Sequence, residues 1–168
     1  DLEKAKQLDP SDSSVLLSLA EKLITLDLTR QAQDYLEKAA KIEPHNQDIW
    51  RLWANLAMKL ENKSLMKKVA NNGLKNLSAQ PYDFMPVAVR LFIAAKDYDS
   101  AKKYLDILKQ KDITPAKAYY LQGILAQAQG KNRKAVDAWK RAKQLGENSE
   151  HLNIIMANLL AQNGDDQS

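Results

Sequence analysis

The sequence predicts an all-α chain of antiparallel helix pairs repeated in tandem, and three observations carry that prediction. A nine-residue phrase, "LEKAKQLDP" from Leu2 to Pro10, returns as "LEKAAKIEP" from Leu36 to Pro44, and its two prolines stand 34 residues apart. Ala, Leu, Lys, Gln and Glu, the strong helix formers, dominate the chain, and only 5 Gly and 5 Pro interrupt its 168 residues. Apolar residues then recur at intervals of three and four, the spacing of an amphipathic helix.

The period holds along the chain. Pro81 and Pro115 are again 34 residues apart, as are Ala101 and Ala135. A first unit over 13–46 carries Leu16 and Ala20 in its first helix, then Ala32, Leu36 and Ala39 in its second, with Pro44 closing it. The second, over 47–81, begins with Trp50 and Ala54. Its second helix is irregular, with Met66, Ala70 and Gly73 at the matching sites. The third, over 82–115, places Met85 and Phe92 before Ala101, Leu105 and Leu108. Pro86 is expected in the first turn of its opening helix, where proline is tolerated.

The fourth unit, over 116–149, divides most plainly, into helices from Ala116 to Gly130 and from Lys131 to Leu145. Gly130 stands where the first must stop, because glycine adopts the left-handed cap conformation cheaply. Gly123 falls inside a helix, where it costs about 1 kcal/mol against alanine. A neighbouring helix backbone too close for a β-carbon is the expected reason. Residues 1–10 read as the end of a preceding unit, and 150–168 as the first helix of a fifth, truncated one. The chain therefore reads as a segment of a longer protein.

Tyr119, Gly123, Gly130, Ala135, Trp139 and Ala142 follow one another in the order that characterises the tetratricopeptide repeat (TPR), and the whole chain resembles that family. The resemblance implies a single array forming an α-solenoid, a right-handed superhelix in which each pair buries its apolar face only against its neighbours. Tyr35, Trp50, Trp53, Phe92, Tyr104 and Trp139 are then expected in the core, together with Ala32, Ala101 and Ala135.

Composition narrows the chemistry. There is no cysteine, which excludes disulfides and thiolate metal sites, and no apolar run approaches the roughly 20 residues of a membrane span. The net charge of +4 is spread, with Lys and Arg interleaved among Asp and Glu, whereas nucleic-acid binders gather positive charge on one face. His45 and His151 have no partner at metal-ligand spacing, and no phosphate loop, nucleophile elbow or paired-carboxylate motif is present. No catalytic residue, metal or cofactor is expected.

In the resembled family, partners lie in a groove lined by the first helix of each pair. The corresponding polar positions here include Arg51, Asn55, Lys59, Arg90, Lys117, Tyr120 and Asn158. Arg51, Asn55, Lys59 and Arg90 are the sharpest local candidates: if they converge, they can hold an acidic or carboxylate-bearing segment through charge-assisted hydrogen bonds. The alternative is an ordinary solvated face with local pairs to Asp48 or Glu61. Leu17 and Glu21 stand where the family's chaperone-gripping clamp would need lysine and asparagine, so that clamp is not expected.

The function so implied is a non-catalytic scaffold for a protein or peptide partner, without nucleic acid or membrane insertion, and self-associating through exposed repeat ends. A purely architectural or oligomerising spacer with an empty groove is the alternative. The loose Lys-, Gln- and Asn-rich repeats suggest a bacterial source, in the cytoplasm or the cell envelope.

Overall fold

Three helices of the first half start at short polar side chains. Asp12, Asn46 and Asn62 keep extended backbone conformations and accept hydrogen bonds from the N–H groups of Ser14 (2.9 Å), Asp48 (3.0 Å) and Leu65 (3.0 Å). Each cap satisfies a donor that the first helical turn leaves open. The computed structural model describes residues 12–111 and 114–165, without the side chains of 160 and 162–165. Nine helices and no strands occur among the described residues. The expected helix tail over residues 1–8 lies outside them.

The chain divides into two compact units, one ending at Ala95 and the other starting at Lys96. The first contains α1 (Ser13–Thr25), α2 (Thr29–Ile42), α3 (Gln47–Lys59), α4 (Lys63–Asn76) and α5 (Pro81–Ala94). Here α1 packs on α2, α3 on α4, and α4 on α5, while α3 also touches α1 and α5. That arrangement stacks one helix pair on the next. Its core is continuous: Leu16, Leu23, Leu36, Ile49, Leu56, Phe84, Leu91 and Phe92 are all fully buried. Trp50 and Trp53 stack with ring centroids 5.6 Å apart, and Trp50 Nε1 donates to the Pro44 carbonyl at 2.8 Å.

The second unit contains α6 (Tyr98–Lys111), α7 (Pro115–Ala128), α8 (Asn132–Gln144) and α9 (Glu150–Asp165). α7 packs against α6 and α8, and α8 against α9. Trp139 is wholly buried, and its Nε1 donates to the Tyr120 carbonyl at 3.1 Å. Truncating such a side chain costs about 3–5 kcal/mol. Ala32, Ala101 and Ala135 are completely buried, as the period requires. Tyr35 and Tyr104 are only half-buried, each with a lysine ammonium near its ring, so they flank the core instead of filling it.

One turn recurs. Asp27, Glu61, Lys96 and Gly130 all have positive φ (61°, 50°, 61° and 72°), at spacings of 34, 35 and 34 residues. After three of them the next N–H reaches back five residues to a carbonyl, Leu28 to Leu23 (2.8 Å), Asn62 to Ala57 (3.4 Å) and Lys131 to Ala126 (2.9 Å). This is the left-handed helix stop expected at Gly130, and elsewhere it is occupied by residues that carry a β-carbon.

Two further expectations need correction. Pro86 lies in the interior of α5, which begins at Pro81, and not in its first turn. The Tyr82 carbonyl therefore faces a proline where a helical N–H would stand. Gly123 is crowded by the Trp139 indole, a side chain, and not by a helix backbone. Gly73 is crowded in the same way by the Phe84 ring.

Candidate partner-binding site

α3 sorts its residues by face. Ile49, Trp50, Trp53, Ala54, Leu56 and Ala57 turn inward, whereas Arg51, Asn55 and Met58, at successive spacings of four and three, turn outward. α5 presents Val87 and Arg90 beside them. Together these side chains surround a cleft of about 270 Å³ whose apolar lining includes the buried Ala54 and Leu91. Three of the four candidate residues, Arg51, Asn55 and Arg90, line this cleft.

Arg51 is oriented from two sides. Its Nη2 donates to the Asp83 carbonyl of α5 at 3.3 Å. With the Gln47 amide oxygen turned toward the guanidinium, Gln47 accepts from Nε at 3.0 Å and from Nη2 at 2.8 Å. Both contacts leave the positive charge uncancelled, since neither partner is a carboxylate. Arg90 is exposed and makes no ion pair among the described residues. The pairs to Asp48 and Glu61 do not form. The cleft thus presents two guanidinium groups and one amide above an apolar floor, the donor set that suits a carboxylate next to an aliphatic group.

Lys59 is committed elsewhere. Its Nζ lies 2.8 Å from Asp27 Oδ1 and donates to the Ile24 carbonyl at 3.2 Å, tying the end of α3 to the α1–α2 turn. The Lys59 hydrogen bond, then its charge, holds the Asp27 carboxyl below its usual range. Hydrogen bonds from Ser13 and then Asn46 lower Glu43 likewise, and those from Ser14 lower Asp12. These shifted carboxylates cap and join helices outside the cleft.

The remaining candidates belong to the second unit. Lys117 and Tyr120 are one turn apart on α7, with Lys117 Nζ 5.3 Å from the Tyr120 ring centroid. Tyr120 is only 9% exposed, more a wall than a contact. Asn158 is exposed on α9. Sequence reasoning missed Gln47 as the residue that orients Arg51, although their spacing of four was a visible signal. Among the described residues no three His, Asp or Glu side chains gather as metal ligands, and no helix is long and apolar enough to cross a membrane.

No protein-family model and no curated protein matches this chain. Its fold does match solved structures. PilF of Pseudomonas aeruginosa aligns with a TM-score of 0.66 at 17% identity, covering 98% of this chain and 71% of its own. YrrB, described as a TPR protein with an unusual peptide-binding site, gives 0.68 at 18%, covering 94% and 80%. TTC0263, a TPR protein of Thermus thermophilus, gives 0.70 at 15%, covering 95% and 87%. With the helix pairs, their common turn and their buried alanines already in place, the chain has the tetratricopeptide-repeat fold.

Proposed function

We propose that this chain is a non-catalytic protein-interaction scaffold of bacterial origin, and that its cleft between α3 and α5 receives a peptide segment of the partner. Arg51, Asn55 and Arg90 grip a carboxylate of that segment, while Met58, Val87 and Leu91 receive an adjoining apolar side chain. The observation that carries this reading is the meeting of two uncancelled guanidinium groups and an amide around one apolar cleft. Peptide binding by YrrB and the bacterial sources of PilF and TTC0263 support it.

The test is capture of a partner by the immobilised chain, followed by titration with the isolated partner. Arg51→Glu should weaken the interaction at least about tenfold, the effect of losing one charge-assisted contact. Unchanged affinity in Arg51→Glu and Arg90→Glu would remove the cleft from the interface. If the native chain captures nothing, the architectural-spacer reading is favoured.

A further inference from the structure

A second groove lies wholly within the Lys96–Ser168 unit, between α6, α7 and α8, and encloses about 420 Å³. Its floor includes the apolar side chains of Leu105, Leu125 and Ala126. Lysines stand around it, and their distribution is uneven. Tyr98 Oη donates to the Ala128 carbonyl at 3.0 Å, which places the start of α6 beside the end of α7. Lys102, Lys131 and Lys134 therefore share one end of the groove with a single carboxylate, Asp99. Asp106 and Lys109 line the rest of the groove, where Lys109 Nζ lies 5.4 Å from the Tyr119 ring centroid.

Neither Lys102 nor Lys134 has an ion pair or hydrogen bond among the described residues. The N-terminus of α8 adds to the same end: Lys131 stands at its cap with its ammonium donating to Gln129 Oε1 at 2.8 Å, and its side chain offers the first N–H groups no capping acceptor. By contrast, Asp97 caps α6 by accepting from Ser100 N at 3.2 Å. Positive charge, uncapped N–H groups and an adjacent apolar floor form one continuous surface.

We propose that this groove is a second docking surface, which takes an extended acidic segment of a protein partner. An Asp or Glu carboxylate of that segment sits among Lys102, Lys131 and Lys134 at the α8 N-terminus. A neighbouring aliphatic side chain rests on Leu105, Leu125 and Ala126. Charge selects the acidic segment, and the floor selects a peptide over a purely ionic ligand: a polyanion without apolar side chains leaves the floor wet. This surface shares no residue with the Arg51 cleft.

The probe is a short fluorescein-labelled synthetic peptide that alternates Glu and Leu, titrated into the full chain by anisotropy and followed by amide chemical shifts. The shifts should cluster on Lys102, Leu105, Leu125 and Lys134. The double variant Lys102→Glu/Lys134→Glu should weaken the affinity for this surface at least about tenfold. Lys102→Arg/Lys134→Arg should retain it, and the amides of Arg51 and Asn55 report separately any binding of the same peptide in the first cleft. Both lysines are exposed, and circular dichroism verifies that the variants remain folded. Failure of the peptide to shift these amides overturns the proposal, as does retained affinity in the double Glu variant. It is equally overturned if a single-stranded oligonucleotide binds the groove as tightly as the peptide, or if a Glu–Ser peptide does.

Discussion

Glu61 adopts φ 50°, a conformation that costs a residue with a β-carbon about 1–2 kcal/mol. Asp27 in the same turn recovers part of that cost through Lys59, and Gly130 avoids it. Glu61 is exposed and has no ion pair among the described residues. Glu61→Gly should therefore raise the stability of the folded chain by about 0.5–1 kcal/mol, after the greater freedom of glycine in the unfolded chain is deducted. The shift of the urea midpoint measures it, and a lower midpoint would show that the turn is not strained. Gly130 was legible in the sequence because glycine marks this backbone conformation directly. Glu61 was not, since the 34-residue frame imposes the conformation on a residue whose own preference gives no sign of it. Arg51, Asn55 and Arg90 could be placed together from their repeat positions alone. Lys59 could not, because a long flexible cation chooses among acceptors that only the folded turns bring within reach.

At the scale of the element, α5 departs furthest from ideal. Its interior proline removes one backbone hydrogen bond and crowds the turn before it, one turn from the Arg90 that lines the cleft. Pro86→Ala should stabilise the chain by about 1–3 kcal/mol, read as a higher urea midpoint. Unchanged stability would mean that the ring's packing offsets the lost bond. The sequence places Pro86 early in its helix, but the edge of that helix is set by Pro81, whose fixed φ favours the first helical position. An amphipathic period locates a helix more firmly than it locates the helix's first residue. Tyr120 shows a related limit: the resembled family's groove positions put it on the groove face, yet its ring lies down against the unit and carries Lys117.

For the whole molecule, neighbour-only packing makes stability uneven along the chain. α7 and α8 enclose Trp139, Leu121 and Ala135 completely. α9 buries Leu152 and Leu159 among its described side chains and leaves Ile154 51% exposed. Hydrogen exchange should accordingly show the strongest amide protection of the second unit in α7 and α8, and the weakest in α9. Uniform protection across the four helices would contradict a chain held together pair by pair.

The slot that Trp139 occupies over Gly123 has one more effect. The indole fills the position where any other residue would project its first carbon. The two sites are coupled by space: a methyl group at Gly123 displaces the indole, and a smaller ring at 139 leaves a hole beside the glycine. The two residues stand sixteen positions apart on two helices, yet the space for one is set by the other.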